Sequence, residues 1–329
     1  MALKSVANLA VTAAMMLAPS YAQTAKPSST KPWTPSRTPD GQPDLQGIWI
    51  NATLTPFERP PQFAGKPTIT KEEAAAIEER ARENRVDRPP KPGDPGNYNV
   101  AWSDGGSTWV STRQSSLVVD PPNGRVPVTP AAAAERERDL AHLADSYVHH
   151  TTWERCITRG VPAGMFPAGY NNAYQILQTP GYVVIFMEMI HEARVIPVDG
   201  SPHAPPGIRE WNGDSRGRWE GDTLVVDTTN FNGKGSVATS AATGRIKGIH
   251  ESDALHLVER FKRVNADTIS YEVTISDPNM YSAPWKVAMP LVRDANYQMY
   301  EYACHEGNYA MEDILKGGRA AEKVAQGTK

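Results

Sequence analysis

Through most of the second half of the chain apolar and polar residues alternate, which is the period of a half-buried β-strand. Leu255, Leu257 and Phe261 fall on one face of LHLVERFKRV, and Ile269, Tyr271, Val273 and Ile275 on one face of TISYEVTI. Asn265, Ala266 and Asp267 make the tight turn between them. Similar patterns run through AYQILQT and YVVIFMEMI, joined at Pro180-Gly181, and through ARVIPV. They continue in the hairpin REWNGDSRGRWEGDTLVVDTTNF and in PWKVAMPLV and YQMYEYAC. DLQGIWI, residues 44–50, is the first strand. SLVVDPPNGRVPV, residues 116–128, reads as two short strands around a Pro-Pro-Asn-Gly turn, with Pro127 confining the second to an edge. Eight or more strands, roughly 10 to 15 residues apart with no helix between them, predict an antiparallel meander. A sheet of that length curls. The expected fold is mainly β, a meander closing into a β-barrel or a strongly bent sheet, with a few peripheral helices.

Helical periodicity is confined to three places. In TITKEEAAAIEERAREN, Thr70 and Glu73 have capping-box spacing, and Ala74, Ile77 and Ala81 form a thin apolar stripe. Thr129 before Pro130 is an N-cap with proline at the first helical position, opening the longest helix, to about Ser146. Asn308 caps YAMEDILK, which Gly317 and Gly318 are expected to stop. RPPKPGDPGNY, residues 88–98, suits neither helix nor sheet.

The first residues, MALKSVANLAVTAAMMLAPSYAQTA, read as a signal peptide: one lysine, an apolar run from Val6 to Ala18, then small residues before Gln23. That run is shorter than the roughly 20 residues a bilayer span needs, and no second one follows. Residues 23–43, rich in Pro, Ser, Thr and Lys, read as a disordered tether. Residues 44–320 then form a single domain, with helical and proline-rich insertions between 65 and 150, and 321–329 a disordered tail. Export to the periplasm or outside the cell follows. The formal charge of −3 becomes −4 once Lys4 leaves with the leader, which gives no basic field for nucleic acid.

Cys156 and Cys304 are the two cysteines, and in an oxidising compartment they are expected to be bridged. The bridge closes a loop of nearly 150 residues, worth roughly 4 to 5 kcal/mol in the chain-entropy model. A free thiol beside His305 is the competing reading. Neighbours on a strand point to opposite faces, however, so their adjacency makes no dyad.

PDLQGIW, SLVVDPPNGRVP, ERCITRGVP, GYNNAYQILQ, IHEARVIPVDG, GDSRGRWEGDTLVVDTTNF, LHLVERFKR, DPNMYSAPW and YACHEGNY together resemble a large, uncharacterised family of exported bacterial proteins, over most of residues 43–319. That resemblance carries no reaction with it. Separately, Gly47-Ile48-Trp49 before an antiparallel meander is similar to the opening of lipocalins, which implies a lipocalin-like barrel.

Candidate chemistry comes from the faces. Glu259 shares the apolar face of its strand with Leu257 and Phe261. Glu301 and His305 share one with Tyr297 and Met299, so all three candidates are expected to point inward. On YVVIFMEMIHEAR, Glu188 and His191 lie on opposite faces, so one of them is inside; His256 lies opposite Glu259. A pocket that gathers His305, His191, His256, Glu188, Glu259 and Glu301 would be an acid/base site, with internal ion pairs and core histidines as the plainer alternative for each. Asn171 and Asn172, with Tyr170, sit at the mouth of a strand, where their amides could bind ligand hydroxyls or cap a turn. The pairs His191-Glu192, His250-Glu251 and His305-Glu306 lack the helical zinc spacing, so neither a metal nor any other cofactor is expected. GDSRGRWEGD reads as a salt-bridged hairpin, not a phosphate loop.

Three readings of function remain open. The first is a cofactor-free lyase, isomerase or hydrolase that uses inward histidine and glutamate as general acid and base. The second is a non-catalytic lipocalin-like carrier of a small apolar or sugar-like ligand, and the third an envelope structural protein. The expected partner is a small molecule, with no nucleic acid and no membrane span.

Overall fold

The alternation becomes ten strands in a single antiparallel sheet that curls into a nearly closed barrel. A computed structural model describes residues 33–87, 89, 103, 105–237 and 249–327 of the chain, and those from 34 onward belong to one compact unit. The expected leader, residues 23–32 of the expected tether and nearly all of the proline-rich connection lie outside the described residues. In chain order the strands are β1 (Gly47–Ile50), β2 (Val118–Asp120), β3 (Ala173–Thr179), β4 (Tyr182–Met187), β5 (Glu192–Pro197), β6 (Asp214–Glu220), β7 (Thr223–Thr229), β8 (His256–Asn265), β9 (Thr268–Ser276) and β10 (Trp285–Arg293). Their spatial order is β5-β4-β3-β1-β10-β9-β8-β7-β6, and β2 pairs with β10 beside β1. Three α-helices lie outside: α1 (Lys71–Asn84), α2 (Pro130–Ala141) and α3 (Ala310–Gly327). Among the described residues no helix is long and apolar enough to cross a membrane.

The barrel is filled by its own side chains. Leu257, Phe261, Ile269, Tyr271, Val273, Ile275, Val287 and Leu291 have no exposed surface, and Phe261 and Tyr271 lie ring to ring at 4.8 Å. Trp49 of β1 is fully buried, donates from its indole nitrogen to Leu45 O at 2.9 Å, and has the Arg293 guanidinium 4.9 Å from its ring centre. Among the described residues no backbone ladder joins β5 to β6, the two ends of the sheet. Side chains close that seam. A Cβ at Gly217 of β6 would stand 2.7 Å from Val198 Cγ1 and 3.0 Å from Ile196 Cγ2, so only glycine lets the two ends approach so closely. Glu259 points inward as its strand pattern predicts, and Arg194 meets it there.

The helix signals act locally. Thr70 and Glu73 form the predicted capping box on α1, and Thr129 caps α2 with Pro130 inside its first turn. Asp214–Glu220 is the first strand of the expected hairpin, and its charges pair along the strand, Arg216 with Asp214 at 3.0 Å and Arg218 with Glu220 at 2.8 Å, while Arg260 of β8 reaches Glu220 at 3.0 Å.

Several expectations need correction. YQMYEYAC is not a strand: both edges of β10 are already taken, by β9 on one side and by β1 and β2 on the other, so this stretch cannot fold back on β10 as the next strand of the meander. The second limb of the 116–128 segment makes only an isolated bridge, Val128 to Tyr281. Helix α2 ends at Ala141, short of Ser146. Helix α3 continues through Gly317 and Gly318 to Gly327, where a tail was expected. Each glycine costs that helix about 1 kcal/mol, and Arg319 holds it by donating to the carbonyls of Ala144 and Asp145 at 3.1 and 2.6 Å. Residues 34–43 are not a free tether: Arg37 bridges to Pro43 and pairs with Asp222 at 2.7 Å, and Thr38 is buried. The apolar pattern misses this segment because it is held by polar contacts.

Candidate functional site

The sequence-derived site residues do not converge. Glu259 is fully buried, and both of its oxygens are engaged: Oε2 accepts from Arg194 Nη2 at 2.5 Å and Oε1 from the Tyr271 hydroxyl at 3.0 Å. Glu188, not His191, is the inner member of its pair. It accepts from the Tyr297 hydroxyl at 2.6 Å and the Tyr300 amide at 3.0 Å, pinning the segment after β10. His191 is exposed, its Nδ1 2.9 Å from Tyr302 O. Glu301 and His305 are exposed and off any strand, so the shared inward face assigned to them is corrected. His305 lines a shallow cleft beside Cys156 and Asn308. Asn172 is buried and ties its amide to both polar groups of the Ala168 backbone, a turn clamp, while Asn171 takes a positive φ of 51° and Tyr170 stacks on Tyr302. His256 belongs to a surface chain in which Asp227 binds it at 2.9 Å and His203 at 3.0 Å, with His203 also on Asp214 at 2.8 Å. Both nitrogens of His203 are thus committed.

Residues that sequence reasoning left unassigned come together elsewhere. A cleft of about 640 Å³ lies between α2, the 148–149 turn, the segments 232–233 and 250–253, and Met280. Its wall is built by the capping of α2. Thr129 opens the helix and donates its amide to Met280 O at 2.9 Å, so α2 is anchored to the loop after β9. Ala132, Glu135 and Asp139 then recur at helical spacing on one face, with Ala132 and Asp139 buried.

Asp139 is the centre of the cleft. Its Oδ1 is 2.8 Å from His149 Nδ1 and its Oδ2 is 2.8 Å from His250 Nε2. Burial disfavours its charged form, but the hydrogen bonds from His149 and His250 outweigh that, and its pKa is lowered. His149 stands at the end of a single helical turn, Tyr147–His149. His250 sits on an extended segment bridged to Ser236. In each imidazole one nitrogen is held by Asp139; among the described residues no protein group is bonded to His149 Nε2 or His250 Nδ1. Next to His250, Glu251 is buried with one unpartnered oxygen, Oε1. Burial first, and then the charge of Asp277, push its pKa up to about 8 against the Gly235 amide, which lowers it.

One further group has metal-compatible chemistry. Glu135, Asp139 and His250 each offer a ligand atom, and these atoms lie within 4.8 Å of one another. No sequence motif announces them. Only the i, i+4 spacing of Glu135 and Asp139 is local, and His250 arrives from 111 residues away.

Comparison with protein-family models, curated proteins and solved structures finds no match to this chain.

Proposed function

We propose that the protein is an exported enzyme acting on a small polar molecule in the α2 cleft, with His149 as the proton-transfer group. The observation that carries this reading is the Asp139 carboxylate clamped between two imidazoles, each 2.8 Å away, at the wall of an open cleft. A carboxylate on Nδ1 fixes the ring orientation and its tautomer, and leaves Nε2 to take a proton from water or substrate. Charged groups around the cleft, Glu135, Arg138 and Asp253 among them, suit a polar ligand better than an apolar one. The reaction classes that need only such a group are lyase, isomerase and hydrolase chemistry.

Export is supported by the N-terminal apolar run and by the Cys156–Cys304 bridge, which fits an oxidising compartment. The lipocalin-like carrier is the weaker reading, because the barrel interior is occupied by Phe261, Tyr271 and the Arg194–Glu259 pair, where such a carrier keeps its ligand.

The test is a deletion strain whose metabolite profile is compared with and without the gene restored. The wild-type protein is expected to return the profile to normal, and His149→Gln, at equal folded amount, is expected not to. Full restoration by His149→Gln would remove proton transfer by His149 from the account.

A further inference from the structure

The same cleft places two carboxylates and an imidazole around one point, and the ring left over is on the other side of Asp139. We propose that Glu135, Asp139 and His250 hold a divalent cation of the zinc or manganese class at the wall of this cleft. The proposal rests on the cleft being the functional site, and it adds the cofactor which that site takes.

Three observations carry it. Glu135 and Asp139 are four residues apart on α2, which puts both carboxylates on one helical face, and the ligand atoms of these two and His250 lie within 4.8 Å of one another. Asp139 is held from behind: its Oδ1 meets His149 at 2.8 Å, so only Oδ2 is turned to His250 and the common point. A ligating carboxylate with its other oxygen hydrogen-bonded is the usual supporting arrangement around a metal. The third observation is independent of the acids. Ser236 is 3 % exposed, and its Oγ has no hydrogen-bond partner. It lines a cavity of about 10 Å³ together with Asp139, His149 and His250. That is room for a single water-sized guest at most. A buried hydroxyl without a partner is costly; Glu135 does not line that cavity, so it is a water bound to the cation, on the side of Asp139 and His250, that would satisfy the hydroxyl.

The donor set selects the ion. One nitrogen and two carboxylate oxygens suit zinc or manganese better than calcium, which takes six or more oxygens. Arg138 reaches Glu135 at 3.5 Å, but this pair is largely exposed and is screened by solvent, so it leaves the Glu135 carboxylate available.

The experiment titrates zinc, and then manganese and calcium, into mature protein dialysed against a chelator, following heat of binding and the melting temperature. Zinc is expected to bind once per chain and raise the melting temperature, with calcium much weaker. Glu135→Gln and His250→Gln are each expected to weaken zinc by more than the roughly 10- to 100-fold that loss of a supporting partner costs, and His149→Gln by an amount within that range. His256→Gln, in the separate surface chain, is expected to change nothing. Absence of zinc binding to the wild type, or equal affinity in Glu135→Gln, overturns the proposal; Glu135 is a half-exposed helix residue, so this variant reads out even where His250→Gln does not fold. The two readings fail separately. Zinc binding without loss of function in His149→Gln removes the proton-transfer role alone, and loss of function in His149→Gln without zinc binding removes the cation alone.

Discussion

Arg194 on β5 donates to Glu259 on β8 at 2.5 Å, inside the barrel and across the seam that the backbone leaves unpaired. On its way the guanidinium also bonds Ser215 of β6 at 3.0 Å and Thr228 of β7 at 2.8 Å, so one side chain touches each of the last three strands in turn. It replaces, with side-chain bonds, the ladder that would otherwise join the first strand at the seam to the last.

The first prediction follows from that geometry. Arg194→Leu leaves a buried carboxylate without its cation and is expected to cost about 3 to 5 kcal/mol, whereas the double change Arg194→Met with Glu259→Leu recovers most of the loss. Denaturant unfolding of the wild type and the two variants decides it. An Arg194→Leu protein with an unchanged midpoint would show that the seam is held by packing at Gly217 alone.

The second prediction concerns Cys156 and Cys304, whose Cα atoms are 5.6 Å apart in the bridged pair. Thiol titration of the denatured, unreduced protein is expected to find essentially none. Replacing both by serine is expected to remove about 4 to 5 kcal/mol through the long loop that the bridge closes. The bridge fastens the segment after β10 near the irregular stretch before β3, so in the serine variant hydrogen exchange is expected to rise first in residues 294–309. Uniform loss of protection across the barrel would count against this local role.

How much of this was legible in the sequence depends on whether the signal was local. Strand alternation in LHLVERF and TISYEVTI shows Leu257, Glu259 and Phe261 inward because burial follows a period of two, and the pairing Leu257 to Ile275 falls out of one tight turn. The capping box at Thr70 is equally local. YQMYEYAC misleads for the converse reason: its alternation is good, but whether a strand forms depends on a free edge elsewhere. The candidate site is the least legible part. His149, His250 and Asp139 meet only after the sheet has curled and α2 has docked, and the adjacent pair His250-Glu251 looked no different from the pairs at 191 and 305. Only the raised pKa of Glu251 and the shared carboxylate at Asp139 set this one apart, and both arise from tertiary burial.

A third prediction separates His305 from function. It is exposed beside the disulfide, so His305→Gln is expected to change stability by no more than about 0.5 kcal/mol, as surface changes do. Metabolite restoration by this variant is expected to equal that of the wild type. Loss of restoration at normal stability would return His305 to the site and put the shallow cleft at Cys156 and Asn308 in place of the α2 cleft.

The last prediction concerns Asp139→Asn. The carboxylate accepts from both imidazoles, at 2.8 Å each. An asparagine amide has one accepting oxygen and one donating nitrogen, so it can satisfy only one ring in its present tautomer. The other ring must turn its bare nitrogen to the amide, which moves the proton to the face that now looks into the cleft, or must swing away. A ring with the wrong tautomer cannot accept a proton from substrate. Loss of the base is therefore expected to lower turnover by about 10²- to 10⁴-fold, while the fold loses roughly 1 to 3 kcal/mol for the mismatched buried group. Thermal unfolding and the metabolite assay on the same preparation separate the two effects. If Asp139 only ties α2 to the 249–253 segment, function should fall in proportion to the unfolded fraction and return when the protein is stabilised by lower temperature. Function that stays lost in fully folded Asp139→Asn protein places the carboxylate in the reacting site, as the group that orients the imidazole or as a ligand of the cation, and zinc titration of the same variant separates the two.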